Sequence, residues 1–262
     1  MLTLLTALPP EPGEGVPFSP LDYGAVCTLS ALACSGEAGG VWGQTDSSGR
    51  LTALISSRFL SLAAGVGPEE REEREEREEL RLFLAGLSSP LLCLPDAADF
   101  LGLPGQEDKL LLCRALAPGE APAPPPGDCP SGELWAFLRG IFPACPDLEP
   151  FRAALFAGRR SGHRLTLVSR DNAGGIIACA EMTHCHGGTA ILENIAVSPA
   201  CRGKGLGREI TEALCRQLAG RGIRRALAAC TPALRPFYQG MGFAPCGGLV
   251  SVPPHQTKQN KE

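Results

Sequence analysis

Residues 191–210, ILENIAVSPACRGKGLGREI, constrain the fold more than any other stretch of the chain. They read as a strand over 189–197, a glycine loop and a long helix. Pro199 stops the strand, because proline has no N–H to give to a sheet ladder. Arg202-Gly203-Lys204-Gly205-Leu206-Gly207 then opens a helix over 206–219. Leu206, Ile210, Ala213, Leu214 and Leu218 recur in it at helical spacing, and Gly220 and Gly222 end it. A strand over 225–230 follows. A helix that crosses between two strands of one sheet makes those strands parallel, so this part of the chain needs an α/β arrangement.

The surrounding pattern extends that layout. Residues 110–116 read as a strand. Residues 131–141 and 147–157 read as helices, with Ser131 and Asp147 as N-caps. Residues 164–170 and 176–183 form a hairpin around the turn at 171–175, and 234–240 is a short helix. The segment 117–130 is rich in proline and reads as an extended, exposed loop. The first hundred residues are less sharply patterned. A short strand is expected within 1–8, a helix over 20–33, and strands over 40–44 and 51–62 around the turn 46–49. A charged helix starts near Pro68, where Glu70–Arg74 and Glu73–Arg77 are i,i+4 pairs. Its REE repeat leaves no apolar stripe, so only Leu80, Leu82, Phe83 and Leu87 are expected to dock. A strand is expected over 91–94.

A strand, a glycine loop and a helix N-terminus together make an anion site. Glycines let backbone N–H groups approach a phosphate, and the helix end adds about half a positive charge. Arg202, Lys204 and Arg208 supply cations around it. Two nucleotide motifs are excluded. A P-loop needs GxxxxGK followed by Ser or Thr, whereas Gly205 follows Lys204. A dinucleotide fingerprint needs GxGxxG, whereas Gly203, Gly205 and Gly207 are spaced two apart.

Val197-Ser198-Pro199 followed by Arg202-x-x-Gly205-x-Gly207 resembles the acetyl-coenzyme A motif of the GNAT superfamily of N-acetyltransferases. Phe237-Tyr238-x-x-x-Gly242-Phe243 resembles that family's downstream motif, and the similarity covers roughly 109–250. It implies a mixed, mostly antiparallel sheet with a splayed parallel strand pair flanked by helices. That would make residues 106–252 the acetyltransferase domain and 1–105 a smaller α/β domain, with a disordered tail over 253–262. Helix, hairpin and charged helix follow one another in 1–105 in the same order, so that half reads as a degenerate copy or an accessory domain. Its counterpart of the glycine loop would be 66–71, whose glutamates would repel a pyrophosphate.

The resemblance also implies chemistry. The pantetheine arm of acetyl-CoA would pair with backbone groups of Ile195, Ala196 and Val197, where an N–H would polarise the thioester carbonyl. The phosphates would lie over Arg202, Gly203, Lys204, Gly205, Leu206, Gly207 and Arg208. A neutral amine would attack the acetyl carbon directly. Tyr238 is the expected acid for the departing thiolate, its phenol near ~10 matching that leaving group. Glu193 is the expected base, on one strand face with Ile191, Ile195 and Val197, where apolar neighbours would raise its pKa. Glu181 is a weaker option. The acceptor would be a small-molecule amine or a peptide N-terminus, selected by the helices 131–141 and 147–157 and by the hairpin tip. A non-catalytic acyl-CoA-binding sensor or scaffold is the alternative.

Composition narrows the rest. A net charge of −4 argues against a general nucleic-acid binder. No apolar run approaches the ~18 residues of a membrane span, and residues 1–15 have no basic start typical of a secretion signal. The 12 cysteines form no CxxC pair, so reduced thiols in the cytoplasm are expected. His184-Cys185-His186 is not read as a metal site, because consecutive strand residues face opposite ways, so at most two of the three could share an ion, and no further ligand pair stands at zinc spacing. The chain is expected to be a monomer or homodimer.

Overall fold

The computed structural model describes residues 1–6, 18–19, 21–34, 40–56, 58–63, 71–87, 90–118 and 129–253. The proline-rich loop at 119–128, the expected tail beyond 253 and the segment 66–70 lie outside the described residues, as do the two expected pairs on the charged helix.

In chain order the elements are β1 (Leu2–Leu4), α1 (Tyr23–Ala33), β2 (Trp42–Thr45), β3 (Leu51–Ile55), β4 (Phe59–Leu62), α2 (Arg71–Ala85), β5 (Leu91–Cys93) and α3 (Pro95–Leu101). Then come β6 (Gln106–Ala115), α4 (Ser131–Arg139), α5 (Leu148–Arg160), β7 (Leu165–Arg170), β8 (Ile176–His186), β9 (Thr189–Val197), α6 (Leu206–Gly220), β10 (Arg225–Cys230), α7 (Arg235–Gln239) and β11 (Ala244–Val252). All eleven strands form one sheet in the order β1-β2-β3-β4-β5-β11-β6-β10-β9-β8-β7. The pairs β4/β5 and β9/β10 are parallel and the others antiparallel. The mixed, mostly antiparallel sheet flanked by helices agrees with the expected fold class.

The sequence reading needs correction in several places. The run 51–62 is two strands, β3 and β4, turned by Ser56, whose hydroxyl accepts from the Phe59 N–H at 3.2 Å. Pro130, not Ser131, is the N-cap of α4, and neither Pro130 nor Asp147 caps its helix with a side chain. On α2, Leu80 and Leu84 are the buried leucines, whereas Leu82 is 67% exposed. Strand β6, expected over 110–116, begins at Gln106 and lies in mid-sheet between β10 and β11.

That placement follows a repeated plan. Three antiparallel strands, a crossing helix, a parallel strand, a short helix and a last strand occur twice, as β2 to β6 and as β7 to β11. The last strand of each run pairs with the parallel strand of the other: β6 with β10, and β11 with β5. The two last strands also pair with each other. The halves therefore share hydrogen-bonded backbone as well as side-chain contacts.

Helices cover both faces. Ile210, Leu214 and Leu218 of α6 pack on Leu192, Ala226 and Ala228, together with Tyr238 and Phe243. Leu80 and Leu84 of α2 pack on Ile55, Leu60 and Val250. On the opposite face, Tyr23, Val26 and Cys27 of α1 pack on Leu111, Ile191, Leu227 and Leu249. Leu134, Leu138, Phe151 and Leu155 of α4 and α5 cover Cys179 and Ala196. Helix α1, from the first half, thus lies over strands of the second.

Candidate active site

The parallel pairing of β9 with β10 runs from Thr189↔Arg225 to Leu192↔Ala228 and stops there. Two features of β9 account for this. Asn194 takes a positive φ of 51°, unusual for a residue with a side chain. The ladder with β8 is irregular at the same place, between Glu181↔Glu193 and Cys179↔Ala196. This is a bulge, with one extra residue that turns the following side chains over. Asn194 is pinned on both sides: its Nδ2 donates to Glu181 Oε2 at 2.7 Å, and its carbonyl accepts from the Cys179 thiol at 3.1 Å.

Glu181 is the centre of this arrangement. It is fully buried and accepts Arg164 Nε at 3.2 Å, Arg164 Nη2 at 2.8 Å and Thr166 Oγ1 at 2.7 Å, besides Asn194. Arg164 also lies 5.4 Å from the Phe151 ring centroid. Every acceptor direction of Glu181 is engaged, which suits a structural anchor and not the weaker base option read from sequence.

The bulge corrects the expected placement of Glu193. Ile195 and Val197 pack toward α6, whereas Ile191 and Glu193 face α1 on the other side of the sheet. Alternation holds only while the pleat is regular, and the sequence carries no clear signal that it breaks at Asn194. Glu193 does not stand among apolar groups alone. The Tyr23 phenol donates to its Oε1, and Thr183 Oγ1 donates to its Oε2 at 2.8 Å. Burial disfavours its charge, but the His184 ring and the two hydroxyl donors outweigh it, so the carboxyl lies below its usual range. That reverses the expected direction. Burial lowers the His184 ring's pKa more than Glu193 raises it. Glu193 keeps partial solvent exposure.

Beyond Val197 the chain turns through Pro199–Cys201 into the glycine loop. Arg202, Gly203, Lys204 and Gly205 are exposed. Gly203 and Gly205 have φ of 76° and 82°, and a Cβ at either would meet nothing within 4 Å. The main-chain amides ahead of α6 are therefore open to an incoming phosphate, and the loop fits a diphosphate-bearing cofactor such as coenzyme A. Gly207 differs, since a Cβ there would stand 3.4 Å from Val197 and 3.5 Å from Phe237. Two of the three cations are turned onto backbone carbonyls: Arg202 Nε donates to Val197 at 3.2 Å, and Arg208 Nη2 to Gly240 at 2.8 Å. Lys204 projects from the exposed loop.

Tyr238 lies on α7 next to Phe237, whose ring stands beside Gly207 of the same loop. Its ring meets Phe237 and Phe243 edge-on at 5.1 and 5.5 Å, and it is 6% exposed. Burial, with a smaller contribution from Cys230, pushes its phenol from 10 up to about 12. It stays protonated across the physiological range, as a proton donor must, although less acidic than the unshifted phenol expected from sequence.

Sequence reasoning missed Tyr23. Only the packing of α1 across β8 and β9 brings it to Glu193. Among the described residues no cluster of His, Cys, Asp and Glu could hold a metal, and all twelve cysteines are free thiols. No described helix is long and apolar enough to cross a membrane.

Comparison with known proteins agrees with this geometry. Residues 162–245 match the family described as acetyltransferase (GNAT) domain. Glucosamine 6-phosphate N-acetyltransferase 1 of Oryza sativa subsp. japonica is 34% identical over 105 residues, covering 36% of this chain and 62% of the relative. The match thus spans less than two thirds of that relative. A GCN5-related N-acetyltransferase from Kribbella flavida superposes with a TM-score of 0.54 at 17% identity, over 88% of this chain and 96% of the other. A tandem GNAT protein from the clavulanic acid biosynthesis pathway superposes with a TM-score of 0.52 at 14% identity, over 81% and 82% of the two chains. At these identities the superpositions establish the fold. Residues 162–245, which hold the bulged strand, the open glycine loop and the crossing helix, thus match the GNAT acetyltransferase family, and the fold around them is that of GNAT proteins.

Proposed function

We propose that the chain transfers the acetyl group of acetyl-CoA to a primary amine by direct attack. The observation that carries this reading is the open glycine loop at the head of α6, next to a strand whose parallel pairing ends at Leu192. Acetyl-CoA supplies the acetyl group already activated as a thioester. The amides of Gly203 to Arg208 and the Lys204 ammonium hold its diphosphate, and the backbone of Ile195, Ala196 and Val197 receives the pantetheine arm. The Arg202 and Arg208 side chains, now on carbonyls, brace the loop. Glu193 takes the amine proton, directly or through a water, and Tyr238 protonates the thiolate that leaves. The low pKa of Glu193 means that it is ionised and ready at neutral pH. It also makes Glu193 a weak base, which a water relay to an amine that loses its proton late in the reaction accommodates.

The rice relative's name points to amino sugars carrying a phosphate, so glucosamine 6-phosphate belongs in an acceptor panel with arylalkylamines and peptide N-termini. The first half is proposed to be a copy of the same fold that has lost its cofactor loop. What supports this is the repeated order of elements and its own parallel pair, β4 with β5. A cytoplasmic location accords with twelve unpaired thiols.

The test is thiol release from acetyl-CoA over the amine panel, with coenzyme A binding followed by thermal shift. Turnover with at least one amine, reduced ~10²-fold or more in Tyr238→Phe, is the expected result. Binding of coenzyme A with no amine acetylated would instead establish a non-catalytic acyl-CoA sensor. Failure to bind coenzyme A would overturn the reading.

A further inference from the structure

The hydroxyl that reaches Glu193 most directly comes from outside the acetyltransferase half. Tyr23 is the first residue of α1, which Asp22 caps: its Oδ1 accepts the Ala25 N–H at 3.0 Å and the Ser61 hydroxyl at 2.8 Å. The Tyr23 ring is 2% exposed and meets Phe59 at a centroid distance of 5.7 Å. Near the other end of α1, the Ser30 hydroxyl donates to the Cys185 carbonyl at 3.0 Å. The helix is thus fastened to β4 at its start and to β8 further along. A phenol so held has few alternative rotamers, and so little freedom to lose.

We propose that Tyr23 is a positioning residue for acetyl transfer, through which the N-terminal half fixes the Glu193 carboxylate in the acceptor site of the C-terminal half. This rests on the acetyl-transfer reading above and extends it: the first half is a working wall of the site and not an appended domain. Glu193 Oε1 is oriented by Tyr23 from α1 and Oε2 by Thr183 from β8, leaving each oxygen a further lone pair for an amine proton or a bridging water. The direction of donation is fixed, because burial and then the Glu193 charge push the Tyr23 phenol well above its ordinary value. The other charged or titratable groups around Glu193 are His184 of β8, Cys27 of α1, Arg58 from the β3–β4 turn and Arg164 ahead of β7. Glu181 of β8, directly across the ladder, is neutralised by Arg164.

The test uses the full chain. Tyr23→Phe removes one donor to the carboxylate, so the pKa of Glu193 rises. A base must be ionised to act, so the acidic limb of kcat/KM against pH moves to higher pH, and kcat falls ~10-fold or more while coenzyme A affinity holds. In a Glu193→Gln background the same change has no further effect on kcat. The chain has only 2 tyrosines, so fluorotyrosine labelling gives a two-line ¹⁹F spectrum that Tyr238→Phe assigns, and this reads the bond with the hydroxyl at position 23 still in place. The Tyr23 line is expected to titrate at acidic pH and to lose that titration in Glu193→Gln. An unchanged Tyr23 line in Glu193→Gln overturns the proposal even if Tyr23→Phe fails to fold. So does a Tyr23→Phe chain with wild-type kcat and pH profile. A wild-type chain that acetylates no amine overturns the acetyl-transfer reading itself.

Discussion

Replacing Glu181 by alanine attacks the bulge without touching the glycine loop or Glu193. It strips the acceptor from Arg164 Nε and Nη2, Thr166 Oγ1 and Asn194 Nδ2 together. Arg164 is 10% exposed, so its guanidinium is left largely buried without a counter-charge, which costs about 3–5 kcal/mol. Asn194, at a φ of 51°, also loses its side-chain anchor, exposing a strain of about 1 kcal/mol. Against a total stability of about 5–15 kcal/mol, this is a large fraction. Melting should fall by on the order of 10 °C. Urea denaturation with a fitted midpoint and slope measures the free energy. The double variant Glu181→Ala with Arg164→Met is the decisive control. Removing both charges leaves no buried unpaired ion, and methionine keeps an apolar contact with Phe151, so the part of the loss due to Arg164 should return while Thr166 Oγ1 and Asn194 Nδ2 still lack their acceptor. A loss below ~1 kcal/mol in the single variant would refute the argument. A double variant as unstable as the sum of the singles would refute it equally.

Four other substitutions test the loop, the docking of α2 and the buried phenol. Gly205→Ala meets no neighbour within 4 Å, so only the left-handed backbone at φ 82° resists it, at about 1–2 kcal/mol by denaturation. Coenzyme A affinity should nevertheless fall ~10-fold or more by titration, because the new methyl stands on the open side of the loop. Leu80→Ala should cost about 2–5 kcal/mol and Leu82→Ala under about 0.5, a contrast that a helix with both leucines docked would not give. The Tyr238 phenol is raised from 10 to about 12, so the folded state holds that proton more tightly than the unfolded chain. Its stabilising contribution is complete below pH 10 and is lost as pH climbs toward 12, so Tyr238→Phe should flatten the alkaline fall in stability measured by denaturation.

Much of the C-terminal half could be read locally. The glycine loop, the apolar stripe of α6 and the strands on either side are signals a few residues long, and β9, α6 and β10 appear where those signals place them. Period-based reading failed where a long-range contact decides. Leu82 and Leu84 are equally hydrophobic, and which one is buried depends on how α2 settles on β3, β4 and β11. Strand β6 is legible as a strand, yet strand pairing, which is not encoded in one strand's own pattern, sets it between β10 and β11.

By itself, then, the sequence determined that a helix begins on a glycine loop after a β-strand, because backbone freedom, missing donors and side-chain periodicity are local properties. The tertiary structure decided the surroundings of Glu193. A bulge pinned by Glu181 turned Ile195 and Val197 to the face opposite the carboxylate, and α1 carried Tyr23 across 170 positions of chain to meet it. Those outcomes depend on which surfaces pack together, and no window along the sequence contains both partners.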